Sequence, residues 1–182
     1  MRKIFKGEEP AEWIEHRCTP GADYEAIEPL RQALLADQGY ICAYCMRRIP
    51  AHDKVGGCFV PETTRIEHIK SRELYPDLKL DYSNMVICCP GCIAGSYDEM
   101  STHCDRSKGN KDITLDLFSD GLFETISYTS DGSLKSSNLK YQKEIDDVLH
   151  LNNKLLKNNR ATVKNAIIQK INSAGTWTKS NL

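Results

Sequence analysis

The 182-residue sequence predicts an α+β fold held together in part by a metal, and three observations predict it. Apolar residues recur at helical spacing before residue 39 and after residue 139, and at strand spacing in between. The strand-like runs are short and bounded by Pro, Gly, Asn and Asp. Eight cysteines include the pairs Cys42-x-x-Cys45 and Cys89-x-x-Cys92, with Cys104 downstream. A chain of this length can cover most of its apolar surface, but a small strand–helix corner within it still gains from a metal cross-link.

Residues 1–22 read as a polar, irregular lead-in, interrupted by Pro10, Pro20 and Gly21, anchored by Trp13 and Ile14, and a candidate partner contact. Asp23 is placed to cap an N-terminal helix running to Gln38. Ile27, Leu30 and Leu34 share its inner face, and Gly39 stands where a left-handed stop belongs. Residues 46–64 form a turn-rich connection in which Cys58-Phe59-Val60 can make a short strand. Arg65-Ile66-Glu67-His68-Ile69 reads as a strand, residues 71–83 as a polar loop, and Asn84 introduces the apolar strand Met85-Val86-Ile87-Cys88-Cys89. Residues 90–102 break every period, and His103-Cys104-Asp105 opens a helix. Residues 113–118 and 124–130 alternate like strands, and Asp131-Gly132 signals a two-residue hairpin turn before Leu134. From Leu139 the pattern is helical, with Tyr141, Ile145, Val148 and Leu149 on one stripe. Asn152-Asn153 breaks it and caps a second helix, whose stripe is Leu155, Leu156, Val163, Ile167 and Ile171. The last residues, from Ser173, read as frayed. Domain boundaries follow: a lead-in to 22, a central domain over 23–112, and a hairpin with helices over 113–182.

The net charge of −1 sets up no global field for nucleic acid. The charge is uneven, however: residues 134–182 hold nine Lys/Arg against three acids, a net of +6. Such a region suits phosphate or an acidic protein face, or is simply a solvated helix surface. No apolar run reaches membrane-spanning length, and the basic residues at the start have no apolar stretch behind them. The expectation is a cytoplasmic chain with no membrane partner. Cysteines in that compartment stay reduced, which favours metal ligation over disulfides.

Two thiolates two residues apart chelate one ion from a tight turn, and tetrahedral Zn²⁺ then needs two more soft ligands. Cys42 and Cys45 supply the first pair. Cys89 with Cys92 would make a second ready-made knuckle. Cys89 with Cys104 would instead join the end of a strand to the start of a helix. Cys18 and Cys58 fit no pattern and read as small apolar residues, and a thiol redox pair at Cys42/Cys45 lacks its usual βαβ surroundings. Next to these cysteines, Glu67-His68 places a carboxylate and an imidazole on opposite faces of a strand. One can hold a metal while the other serves as a general base near neutral pH. His16, His52 and His150 read as surface or packing residues.

Together, Cys42-x-x-Cys45, Glu67-His68-Ile69, Tyr82-Ser83-Asn84, Cys89 and Cys104-Asp105-x-x-Lys108-Gly109-Asn110 resemble the HNH, or ββα-metal, endonucleases. The match covers about residues 25–111. His103-Cys104-Asp105, the hairpin over 126–132 and Val148-Leu149-His150-Leu151-Asn152-Asn153 are similar to the HNH nucleases of retron and Septu anti-phage systems. The resemblance implies a ββα-metal core carrying a structural zinc site of four cysteines. It implies that His68 is the general base, that Asn84 ties the loop and orients His68, and that Lys108 meets a phosphate. Glu67 and Asp105, with His103 as the rival to Asp105, would hold a catalytic Mg²⁺ or Mn²⁺. It also assigns the zinc ligands as Cys42, Cys45, Cys89 and Cys104, leaving Cys92 as a loop residue. Asp105 departs from the commoner His or Asn and suits a hard cation. Arg47, Arg48, Arg65, Lys70, Arg72, Arg106 and Lys111 are candidate phosphate contacts. The implied partners are nucleic acid (duplex DNA first, tRNA second), an SMC-like ATPase docking on residues 113–182, and a retron RNA–DNA. A non-catalytic zinc ribbon that binds nucleic acid or protein is the competing expectation.

Overall fold

The computed structural model describes residues 1–49, 64–92 and 101–173, and between them the backbone of two short strands. The chain is mixed α+β, with small two-stranded sheets and helices packed around them. Among the described residues, no helix is long and apolar enough to cross a membrane.

The lead-in is more ordered than its composition suggests. Helix α1, Ala11–Cys18, starts directly after Pro10. Trp13 is fully buried: its ring stacks on His16 at 5.1 Å and its Nε1 donates to the Leu80 carbonyl at 3.3 Å. Ile14, expected as a second anchor, is 40 % exposed, and Cys18 is exposed as well. Helix α2 spans Glu28–Gln38, five residues short of the expected start at Asp23. Pro29 explains the difference. It fits only the first turn, because deeper in a helix it lacks the N–H and collides with the carbonyl four residues back. Gly39 ends α2 in the left-handed region (φ 60°), as its position predicts.

Buried Gln38 then joins three elements. Its Nε2 donates to the Ile41 and Ile87 carbonyls at 2.9 and 2.8 Å, and its Oε1 accepts from Ile87 N at 2.6 Å. Residues 40–49 fold as a tight loop closed by an Ile41–Arg48 bridge, docked through Ala43 N on the Ile87 carbonyl at 3.0 Å. Strands β1, Lys54–Val55, and β2, Cys58–Phe59, form a minimal antiparallel pair. Val60, expected to extend it, lies outside the described residues.

Strand β3, Arg65–His68, pairs antiparallel with β4, Met85–Cys88, in a register that sets Glu67 opposite Val86 and His68 opposite Met85. All four residues of β4 are fully buried. The short helix α3, Asp105–Lys108, follows. Residues 113–118 alternate as predicted, with Ile113, Leu115 and Leu117 buried, yet they join no sheet. Their backbone is satisfied elsewhere. Leu117 O accepts from Ile4 N at 2.9 Å, and the Glu144 carboxylate accepts from Thr114 N, Thr114 Oγ1 and Leu115 N at 2.7–3.0 Å.

A short helix α4, Asp120–Glu124, capped by Ser119, stands where a strand was expected to begin. Strands β5, Ile126–Tyr128, and β6, Leu134–Ser136, make the predicted hairpin. Its connection is the five residues 129–133 rather than two, closed by Thr129 N on Ser133 O at 3.0 Å. Gly132 (φ 81°) is obligatory there, since a Cβ would lie 2.1 Å from the Lys157 carbonyl. Helix α5, Leu139–Lys143, continues as a π-turn over Glu144–Val148. Helix α6, Lys154–Ser173, is capped by Asn153 Oδ1 on Leu156 N at 2.9 Å, the break the sequence predicts. One apolar core runs from Ile4 and Trp13 through β4 to Leu156, so the lead-in and the C-terminal elements share it with the centre of the chain.

Candidate metal centre and polar pocket

The Sγ atoms of Cys42, Cys45, Cys89 and Cys104 all lie within 4.8 Å of one another, and all four residues are buried. Measured sulfur–sulfur distances are 3.8 Å for Cys42–Cys104, 3.7 Å for Cys45–Cys89 and 3.9 Å for Cys89–Cys104. A tetrahedron with Zn–S bonds of about 2.3 Å has edges of about 3.8 Å, so the group could hold a structural ion such as zinc. Cys104 reaches the cluster through a left-handed backbone (φ 57°). Cys92 stays outside it, 3.6 Å from Arg106 Nη1. Gly91 holds the second turn close: its carbonyl accepts from His103 N at 2.8 Å, and a Cβ there would sit 2.3 Å from the His103 oxygen. Burial pushes the Cys104 thiol well up, and contact with the Cys42 thiolate adds to it. Against the same burial, contacts with Cys104 and Cys45 hold Cys42 well down. A divalent ion would resolve this asymmetry by taking all four as thiolates.

His103 belongs to this cluster. Its Nδ1 is 3.0 Å from Cys104 Sγ and its ring is fully buried, with no partner for Nε2 among the described residues. It was expected as the rival to Asp105, and it does not line the pocket that holds Glu67 and Asp105. The two-residue step to Asp105 passes through the positive φ at Cys104, and the two side chains lie at different sites.

A polar pocket of about 450 Å³ is lined by Arg65, Glu67, His68, Arg72, Asp105 and Arg106 among others. Glu67 and Asp105 are hydrogen-bonding neighbours. Lys108 Nζ lies 2.8 Å from Glu67 Oε1, Tyr44 Oη donates to the same oxygen at 3.3 Å, and Arg65 Nε lies 2.8 Å from Asp105 Oδ2. Burial, and then Asp105, push Glu67 up to about 8, while Lys108 pulls the other way. Lys108 was expected to reach a phosphate. It is instead fully buried, with Glu67 Oε1 and the His68 carbonyl, 3.0 Å away, as its partners.

His68 is 6 % exposed, with its ring edge-on to Tyr24 at 4.7 Å between centroids. Its Nε2 is 3.0 Å from the Lys79 carbonyl, which can only accept, so Nε2 carries the proton and Nδ1 keeps the lone pair. Burial lowers its pKa to about 4, with Arg72 and Lys108 adding to the effect, so the ring is neutral at physiological pH. Asn84 acts one step removed. Its side chain accepts from Lys70 N at 2.8 Å and donates to the Lys70 and Leu78 carbonyls at 2.9 and 3.1 Å, closing the loop whose next carbonyl, Lys79, holds His68. Of the predicted phosphate contacts, Arg65, Arg72 and Arg106 line this pocket, and Lys70 pairs with Asp112 at 3.7 Å. Arg47 and Arg48 line a different surface, beside α6.

Tyr24 and Lys79 escape a motif reading because one acts by packing and the other through its backbone carbonyl, and Tyr44 because the Glu67 it donates to is distant in sequence. His52 and the side chain of Cys58 lie outside the described residues. No protein-family model matches the chain, and no curated protein matches it.

Proposed function

We propose that the chain is a metal-dependent endonuclease of HNH type, built on a ββα-metal core formed by β3, β4 and α3. The supporting observation is that Glu67 and His68 of a strand and Asp105 of a helix line one polar pocket beside a four-cysteine cluster. In this reading His68 Nδ1 takes the proton from a water that attacks phosphorus, and Lys79 O keeps the ring in that tautomer. Asn84 holds the loop that carries Lys79. Glu67 and Asp105 would hold a Mg²⁺ or Mn²⁺, which supplies charge neutralisation at the phosphate and the leaving oxygen. Zinc on the four cysteines contributes folding energy only. Arg65, Arg72 and Arg106 give phosphate contacts, which position a substrate but carry little sequence preference.

The wider reading follows from the motif resemblance: the effector of an anti-phage system, controlled by an ATPase partner, acting on duplex DNA or on tRNA. Its test is cleavage of plasmid DNA and of tRNA by wild type and His68→Ala, each with Mg²⁺ or Mn²⁺, with and without that partner. Loss of about 10²-fold or more in rate with zinc content and fold intact is expected. Undiminished cleavage by His68→Ala removes the assignment.

One observation favours a non-catalytic zinc module instead. Both carboxylates already have cations of this chain against them, Lys108 on Glu67 and Arg65 on Asp105. On that reading nucleic-acid binding survives His68→Ala and no cleavage is seen with either metal.

A further inference from the structure

The stripe predicted for the last helix is real, but much of it is not covered. Val163, Ile167 and Ile168 are 59 %, 52 % and 42 % exposed. With Leu156, Tyr128 and Met46 they floor a groove of about 730 Å³ between α6, the hairpin and the cysteine loop. Its rim is basic: Arg47 and Arg48 on one side, Arg160 and Lys164 on the other, and no carboxylate lines it among the described residues. Arg160 donates to the Gly132 and Leu151 carbonyls, which fixes its position, and it makes no ion pair with a carboxylate among the described residues. Among the described residues, Arg47, Arg48 and Lys164 make no ion pair with a carboxylate.

We propose that this groove takes an amphipathic helix of a partner protein, apolar on one face and flanked by Asp or Glu. The lining from Leu156 to Ile168 runs about 18 Å along α6, the length of about three helical turns, which suits anchors at i, i+3 or i+4, and i+7. The rim chooses the sign of the flanks. A second copy of this chain is disfavoured by the same charges: α6 carries Lys154, Lys157, Arg160, Lys164 and Lys170 and no acid, so pairing through it sets like charge on like. Nucleic acid would meet the rim but leave the apolar floor unmatched. A bilayer surface does not reach the floor of a cleft. The proposal goes beyond the nuclease reading and does not depend on it, since peptide binding and cleavage are read separately.

The test uses the full chain and a designed, fluorescein-labelled helical peptide with Leu at the anchor positions and Glu on both flanks, together with its Glu→Lys counterpart. Fluorescence anisotropy should show the Glu peptide binding at least about tenfold more tightly, with the difference shrinking at high salt. Ile167→Asp, at an exposed position, should abolish binding without changing zinc content. Arg47→Glu with Lys164→Glu should reverse the preference towards the Lys peptide. Equal binding of the two peptides, binding of neither, or binding that survives Ile167→Asp overturns the proposal. So does displacement of the Glu peptide by duplex DNA or by phosphatidylserine vesicles, or a dimer in sedimentation that Ile167→Asp dissolves.

Discussion

Replacing Glu67 by Gln keeps the shape of the side chain and removes its titration. Glu67 is buried and its pKa is raised from 4.5 to about 8, so the folded chain holds a proton that the unfolded chain has released. An acid with a raised pKa contributes stability below its unfolded value, loses it as pH rises towards the folded value, and is level above that. His68 works in the opposite sense at lower pH, because its folded pKa of about 4 lies below the ordinary 6.5. From about 6.5 to 8 Glu67 therefore titrates without His68. At 1.36 kcal/mol per unit, that interval is worth about 2 kcal/mol in the wild type, and the full shift has a ceiling of about 5 kcal/mol. The buried Met1 amino group, lowered to about 6, titrates in the same interval in both proteins, so urea unfolding without added Mg²⁺ or Mn²⁺ should show the stability of wild type relative to Glu67→Gln falling by about 2 kcal/mol between these pH values. The two proteins should converge near pH 5. Parallel pH curves for wild type and Glu67→Gln would refute the argument, and would mean that the Lys108 pair keeps Glu67 ionised throughout.

Cys104→Ser should lose bound zinc and cooperative unfolding, whereas Cys92→Ser should keep one zinc per chain by elemental analysis. Gly91→Ala adds both a disfavoured φ of 71° and a Cβ 2.3 Å from the His103 oxygen. The conformational part alone costs about 1–2 kcal/mol, and competition with a chromophoric chelator should show weaker zinc binding because the clash pushes on the residue before Cys104. Glu144→Ala leaves the buried Leu115 amide without its acceptor, while the part-buried Thr114 amide can turn to water, and at about 1–3 kcal/mol for one unsatisfied buried group it should cost about 2–3 kcal/mol in urea unfolding.

Features fixed by local chemistry are legible in the sequence. Gly39, the Asn153 cap, the strand at Glu67-His68 and the knuckle at Cys42 each need only a few neighbouring residues. The features that were missed depend on a distant partner. Residues 113–118 look like a strand because three side chains alternate inward, but the acceptors and donors they need come from Glu144 and Ile4 rather than from a neighbouring strand. Lys108 looks like a surface cation until Glu67, forty-one positions earlier, is found beneath it. The stripe on α6 reads as core, since periodicity reports which residues share a face and not whether anything covers that face.

The cysteine cluster and the polar pocket share the same short pieces of backbone. Cys89 directly follows β4, which holds β3 and therefore Glu67 and His68 in register, and Cys104 directly precedes Asp105. Tyr44, between the first two cysteines, donates to Glu67. A displacement of a sulfur thus reaches a pocket residue through one or two peptide links and at most one hydrogen bond or strand pairing. Packing could not substitute for this, because α3 has only four residues and the buried member among them is Lys108, a cation committed to Glu67. A corner whose helix contributes a charge instead of an apolar side chain gains little from the hydrophobic effect, and metal–thiolate bonds would add to the Arg65 pair in holding Asp105 beside Glu67.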